Sequence, residues 1–209
     1  MPTPDITLYY APMTRAIRPR WVMEEMGLPY TLERPEFKHG NVGGEAFKDI
    51  NPLQKIPALK DGNTVMLESV AMMQYLTEKY GPAPLVVGQD EADFARYLEW
   101  LHFGEATMSM TVNLTLAHTA LLPEEQRNPA LARWGKSEFL KHTNLIAARG
   151  LAEDREWLAG NRLTLADMSV VYMLYLMKLV KQFEGVPDEV NTYFKRVTAL
   201  ESWKRATAD

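Results

Sequence analysis

Hydrophobic positions in the first part of the chain recur with two periods. Short runs with every second residue apolar indicate strands, and the segments between them have apolar residues at helical spacing. Gly27 and Gly81 follow two of the helical patterns, where glycine favours the end of a helix. The pattern therefore predicts a βαβαββα order. The predicted strands are 6–11, 30–35, 57–61 and 64–67, and the predicted helices are 15–27, 43–50 and 68–81.

The pattern becomes purely helical after a stretch rich in proline and glycine at 82–90. This change predicts two domains joined by a linker at 82–90. Residues 1–81 form an α/β domain, and residues 91–209 form an all-α domain. The predicted helices of the second part are 89–118, 123–150, 164–183 and 188–207.

One helix of the second domain has a clear start signal. Thr164 and Asp167 stand three residues apart, as in a capping box in which each side chain bonds the backbone N–H of the other residue. Leu163 and Met168 are placed as a hydrophobic staple. We interpret Asp167 as a structural residue.

Composition and charge exclude several functions. The 209 residues are 46% hydrophobic, and a net charge of -4 with both signs interspersed provides no field that would attract nucleic acid. No apolar stretch approaches the roughly 20 residues of a membrane helix, and the start lacks the order of a signal peptide. We expect a cytoplasmic protein that binds neither nucleic acid nor membrane.

Cysteine is absent, so the chain has no disulfide and no cysteine nucleophile of its own. Any sulfur chemistry must therefore come from a ligand. The histidines at 39, 102, 118 and 142 show no metal-ligand spacing, and we assign no metal.

The segment INPLQKIPALKDG at 50–62 places Pro57 where a strand begins. A proline there costs no ladder hydrogen bond if the Ile56–Pro57 peptide is cis and Ile56 turns its backbone toward a ligand. The free N–H and C=O of Ile56 would then bind an extended peptide like one more antiparallel strand. The alternative is an ordinary trans proline on an edge strand.

A second candidate binding element begins at Glu68 and Ser69, where a helix follows a strand. The exposed N–H groups of a helix start stabilise an anion, and the carboxylate of Glu68 can pair with an ammonium group. The head of an α-amino acid carries both charges. The alternative is that these two residues only cap the helix.

NPLQKIPAL and LESVAMMQYL together resemble the glutathione transferase family, and the resemblance spans nearly the whole chain. It implies a thioredoxin-like N-terminal domain followed by a helical domain, with glutathione as co-substrate and a homodimer as the usual assembly. YLEWLHFGEATM at 97–108 is similar to many bacterial members. By resemblance, Ile56 and Pro57 hold the cysteinyl backbone, Glu68 and Ser69 hold the γ-glutamyl head, and Gln54 or Lys55 lies near the glycyl carboxylate.

The family also needs a group that stabilises the glutathione thiolate, and two hydroxyls are candidates, one within the end of the first strand and one just after it. Thr14 fits the pattern of serine-type members, with threonine in place of serine, and Tyr10 fits that of tyrosine-type members. A cysteine-type enzyme is excluded because the chain has no cysteine. We favour Thr14 and keep Tyr10 as the alternative. Arg15 is expected to raise the local positive potential.

Four residues are candidates for an apolar pocket that accepts a hydrophobic co-substrate. Phe103, Met108 and Met110 lie on the helix that the resemblance places opposite the glutathione sulfur, and Met13 lies in the turn after the first strand. Ordinary core packing is the alternative for Phe103, Met108 and Met110.

The sequence thus predicts a glutathione transferase that conjugates the thiolate to hydrophobic electrophiles, in detoxification. One alternative is a non-catalytic protein that binds glutathione and hydrophobic ligands on the same fold. The other is a glutathione-dependent isomerase or dehalogenase.

Overall fold

The computed structural model describes residues 3–38 and 41–208, which belong to two units. One unit extends to Ala83 and includes the segment from Leu200 onward, and the other unit is Pro84–Ala199. The sequence pattern predicts that the segment after Leu200 belongs to the helical domain. The structure instead groups it with the α/β unit.

The first unit contains short strands, which are β1 (Ile6–Tyr9), β2 (Thr31–Glu33), β3 (Phe37–Lys38), β4 (Asn41–Val42), β5 (Ala58–Asp61) and β6 (Thr64–Met66). The main sheet has the order β2-β1-β5-β6, with β1 parallel to β2 and antiparallel to β5, and with β5 antiparallel to β6. Strands β3 and β4 pair as a separate antiparallel two-stranded sheet, which the sequence pattern does not predict. Strands of two residues are too short to show a period of two.

The helices of this unit are α1 (Ile17–Met26), α2 (Ser69–Tyr80) and, from the end of the chain, α8 (Glu201–Thr207), and both α2 and α8 pack against α1. Helix α1 ends as predicted at Gly27, which has a left-handed φ of 65° and donates its N–H to the carbonyl of Met23. The helix expected near 43–50 is a short 3-10 helix, Glu45–Asp49.

Helix α8 is fixed to α1 by aromatic and polar contacts. Trp203 packs edge-on against Trp21, with ring centroids 4.7 Å apart. The indole N–H of Trp21 donates to Ser202 Oγ at 3.1 Å, and Arg20 donates to the carbonyl of Ala208 at 2.6 Å. The first unit is therefore built from two separate stretches of sequence.

The second unit consists of helices α3 (Phe94–His102), α4 (Met108–Leu116), α5 (Pro129–Leu145), α6 (Leu165–Leu179) and α7 (Asp188–Thr198). Helix α6 is buried over most of its length and forms the centre of this unit. A π-helical turn, Phe103–Thr107, joins α3 to α4. Within it Gly104 lies against α6 so closely that a Cβ atom there would be 2.6 Å from the backbone of Ser169.

The predicted capping box at the start of α6 is confirmed. The carboxylate of Asp167 accepts the N–H of Thr164 at 2.9 Å and its hydroxyl at 3.0 Å. It also accepts the N–H of Leu158 at 3.0 Å and the hydroxyl of Tyr193 at 2.8 Å. Burial raises the pKa of Asp167, and the hydrogen bonds oppose this effect.

Candidate active site

Three connecting segments leave the main sheet at the same edge. Tyr9, the last residue of β1, pairs with Ala58, the first residue of β5, and Leu59 pairs with Met66 at the end of β6. Because neighbouring strands here are antiparallel, the turn after β1, the loop before β5 and the connection to α2 emerge together. These segments carry Thr14, Ile56 and Glu68.

The loop before β5 has the backbone geometry that the sequence analysis proposed. The Ile56–Pro57 peptide is cis, which confirms that prediction. Ile56 is partly buried, and within the part of the chain that the structure describes neither its N–H nor its C=O has a hydrogen-bond partner. This donor and acceptor pair is available to an extended ligand backbone.

Asn51 holds this loop in shape, although it is not among the site residues predicted from the sequence. Its side-chain amide donates to the carbonyl of Lys55 at 2.7 Å and accepts the N–H of Leu53 at 3.0 Å. The side chain is almost completely buried. The signal in the sequence was the Asn51-Pro52 pair, which is typical of turns.

Gln54 and Lys55 follow in the loop and have different environments. The Gln54 amide group donates to the carbonyls of Gly44 at 2.8 Å and Val42 at 3.4 Å, so it ties the loop to the end of β4 and the residues that follow it. Lys55 is exposed. Gln54 and Lys55 are both candidates for binding a carboxylate group of the ligand. Of the two, Lys55 has the exposed, positively charged side chain.

A small apolar cluster brings the loop before β5 next to the start of α2. Val42, Phe47 and Ala58 are buried at its centre. Ile56 and Leu67, the residues that precede Pro57 and Glu68, both pack against it. The two candidate binding elements therefore lie on one support.

Glu68 is exposed and has a left-handed backbone conformation, with φ 73° and ψ 103°. Such a conformation costs a residue with a side chain on the order of 1–3 kcal/mol and is frequent at functional sites. The side chain of Glu68 does not cap α2. The alternative that this glutamate is only a helix cap is therefore wrong.

Ser69 is the first residue of α2 and is almost completely buried. Its Oγ accepts a hydrogen bond of 3.2 Å from the guanidinium of Arg18, in the first turn of α1. Arg18 itself is completely buried. A cation thus lies behind the helix start that is expected to bind an anion.

Thr14 lies in the turn after β1 and is partly buried, as is Arg15. The hydroxyl of Thr14 donates to the carbonyl of Ala11 at 2.6 Å, and its oxygen is 3.4 Å from the N–H of Ala16. Because a carbonyl only accepts hydrogen bonds, the hydroxyl hydrogen of Thr14 is engaged within its own turn.

Tyr10, the alternative hydroxyl, is completely buried. In the described part of the chain its hydroxyl has no hydrogen-bond partner. The guanidinium groups of Arg20 and Arg34 lie 4.8 Å and 5.6 Å from the centre of its ring. The Tyr10 side chain therefore belongs to the interior of the first unit, away from solvent.

Comparison with known proteins shows which family this chain belongs to. The family model described as glutathione S-transferase, N-terminal domain, matches residues 4–78. Glutathione S-transferase theta-1 of Homo sapiens is 31% identical over 82% of this chain and 73% of its own length. The chain belongs to the glutathione transferase family. The prediction of an enzyme of this family is thereby confirmed.

Solved structures agree with the glutathione transferase fold. Ure2p in complex with S-hexylglutathione has a TM-score of 0.84 at 23% identity, and the match covers 100% of both chains. The theta class enzyme of Xanthomonas axonopodis pv. citri with glutathione bound has a TM-score of 0.80 at 23% identity, covering 99% of this chain and 98% of that one. The predicted fold, thioredoxin-like with a helical second part, is confirmed.

The candidates for the co-substrate pocket of this glutathione transferase differ in exposure. Met13 in the first unit and Met110 in the second are each 58% exposed, and Phe103 is partly buried. Met108 is completely buried in the helical unit. We correct the interpretation of Met108, which packs in the core and does not line a surface.

A groove of about 340 Å³ opens beside the apolar cluster in the first unit. Tyr9, Phe47 and Ile50 contribute to both the groove and the cluster. None of the four predicted pocket residues lines this groove.

Asp61 connects the sheet to α2 and was not singled out from the sequence. Its buried carboxylate accepts hydrogen bonds from Tyr75 at 2.8 Å, Lys79 at 2.7 Å and Tyr80 at 2.7 Å. Burial alone would raise its pKa, but the bonds from Lys79 and the two tyrosines outweigh burial, and the pKa is lowered. This network fixes α2, whose first turn belongs to the site.

No group of three or more potential metal ligands occurs among residues 3–38 and 41–208, and His39 lies outside the described residues. Within the same residues, every helix is too short or too polar to cross a membrane.

Proposed function

We propose that the protein binds glutathione at this sheet edge and transfers its thiolate to a hydrophobic electrophile. The observation that carries the proposal is the backbone of Ile56, which has no partner among the described residues, beside the start of α2, which no side chain caps. Ile56 pairs with the cysteinyl backbone, Lys55 attracts the glycyl carboxylate, and Glu68 with Ser69 holds the γ-glutamyl head. Cytoplasmic location, detoxification, a homodimer and bacterial origin rest on the family resemblance and the sequence.

Thr14 is the proposed donor to the thiolate, because the Tyr10 hydroxyl is buried away from solvent. To serve, the Thr14 hydroxyl turns from the carbonyl of Ala11 to the sulfur. A hydrogen bond to a charged group contributes about 1.5–3 kcal/mol, and a neutral one about 0.5–1.5 kcal/mol. The net gain is about 1–1.5 kcal/mol, which lowers the thiol pKa by roughly one unit.

The engaged hydroxyl of Thr14 also supports a second candidate function. If the hydroxyl keeps its bond to Ala11, its oxygen can only accept from the thiol, which favours the protonated form of glutathione. The protein would then bind glutathione and hydrophobic ligands without catalysing the transfer.

Calorimetric titration with glutathione and a chromogenic aryl-halide assay test the proposal. The wild-type protein should bind glutathione and form the conjugate. Glu68→Gln should weaken binding about ten- to hundredfold, because a charge-assisted hydrogen bond contributes about 1.5–3 kcal/mol. Glu78→Gln is the matched control, since Glu78 is exposed near the other end of α2.

Absence of glutathione binding would refute the proposal. Binding without conjugation of any electrophile in a substrate panel would support the second candidate function.

A further inference from the structure

The buried guanidinium of Arg18 and the hydroxyl of Ser69 form a pair whose hydrogen-bond direction is fixed. A guanidinium has only donors, so in the 3.2 Å contact Arg18 donates and Ser69 Oγ accepts. The hydroxyl hydrogen of Ser69 is therefore not used in this bond. In the described part of the chain it has no acceptor.

The start of α2 has further unused donors. The first backbone bond of the helix runs from the N–H of Met72 to the carbonyl of Glu68, so the N–H groups before Met72 have no helical acceptor. Glu68 does not cap them, and the first turn contains no acidic residue. These donors, the Ser69 hydroxyl and the buried charge of Arg18 all favour an anion at this place.

We propose that Arg18 is a positioning residue for the α-carboxylate of the γ-glutamyl group. By donating to Ser69 Oγ, Arg18 directs the hydroxyl hydrogen of Ser69 toward that carboxylate. Its charge adds to the positive potential of the helix start. The proposal rests on the proposed function, namely that glutathione binds with its γ-glutamyl head at α2.

The test compares glutathione with γ-aminobutyryl-cysteinyl-glycine, an analogue that differs only by lacking the α-carboxylate. The wild-type protein should bind glutathione at least about tenfold more tightly, which corresponds to about 1.4 kcal/mol. Arg18→Met should remove most of this preference by weakening glutathione alone. In turnover the variant should show a raised KM for glutathione and a nearly unchanged kcat per folded molecule.

Two further variants keep the test decisive. Ser69→Ala removes only a hydroxyl, and it should lose the same preference even if Arg18→Met does not fold. Arg20→Met is the control, because Arg20 is also buried on α1 but bonds to Tyr30 and Ala208. The control should lose stability and keep the preference for glutathione.

Equal weakening of both ligands by Arg18→Met, or an undiminished preference in Ser69→Ala, would overturn the role of Arg18 while leaving the proposed function intact. A wild-type protein that does not bind glutathione would overturn the proposed function, and this inference with it.

Discussion

Replacing Asp167 by alanine should destabilise the helical unit far more than the loss of an ordinary helix cap. An N-cap side chain contributes about 0.5–2 kcal/mol. The buried carboxylate of Asp167, however, also accepts the N–H of Leu158 and the hydroxyl of Tyr193. The N–H groups of Leu158 and Thr164 cannot turn away, and each buried donor left without a partner costs about 1–3 kcal/mol. We therefore expect Asp167→Ala to lower the free energy of unfolding by about 2–6 kcal/mol.

Thermal and denaturant unfolding measure this loss. For a chain of this size, 1 kcal/mol shifts the melting temperature by about 2–4 °C, so a loss of about 4 kcal/mol lowers it by roughly 8–16 °C. Tyr193→Phe alone should cost about 1 kcal/mol. It should cost much less in the Asp167→Ala background, because the bond between the two residues is already absent. Asp188→Ala is the control, since Asp188 is exposed in the first turn of α7.

Glutathione conjugation per folded molecule should survive in Asp167→Ala. A loss below about 2 kcal/mol would show that the bonds to Leu158 and Tyr193 add nothing to the cap. Wild-type melting with lost catalysis would refute the structural role altogether.

Three other predictions concern the first unit. Thr14→Val should raise the thiol pKa of bound glutathione by roughly one unit in ultraviolet titration while Tyr10→Phe has little effect, and the opposite pattern would identify Tyr10 as the donor. Glu68→Gly should raise the free energy of unfolding by about 1 kcal/mol, because glycine adopts the left-handed backbone without strain, and should weaken glutathione binding; a less stable variant would contradict the strain argument. The carboxyl of Asp61 has a pKa below its ordinary 3.8 in the folded state, so its stabilising contribution is present above that value and is lost as the pH falls through the lowered pKa. The free energy of unfolding, measured in urea, should therefore fall more steeply between neutral and acidic pH in the wild-type protein than in Asp61→Asn. Equal pH dependence in the two proteins would exclude this role of Asp61.

Most elements of the fold could be predicted because their apolar positions repeat over several turns or strands. The β3–β4 pair is too short to show a period, and the break before α8 depends on contacts that are distant in sequence. A single helix was predicted over 188–207, yet Leu200 is extended and separates α7 from α8. No glycine or proline marks that break. Trp203 contacts Trp21 only in the folded unit, so the residues around position 200 do not indicate this contact.

In the candidate site, too, some residues could be identified from the local sequence and others depend on the fold. Pro57 and Glu68 could be identified from neighbouring residues, since each stands at the junction of a loop with a strand or a helix. Arg18 could not be linked to Ser69, because 51 positions separate them. Likewise, the sequence shows a hydroxyl at Thr14 but not its bond to Ala11, which depends on how the turn closes.

The contact of α8 with α1 has a consequence for the synthesis of the protein. The bonds of Trp21 to Ser202 and of Arg20 to Ala208, and the packing of Trp21 on Trp203, form only when the end of the chain is present. On the ribosome, the α/β unit therefore remains incomplete while the whole helical unit is translated, although its sheet and the sheet-edge segments come first. A fragment ending near Ala83 would leave the indole of Trp21 without Ser202 and Trp203, so we expect the α/β unit expressed alone to be more stable with residues 200–208 appended.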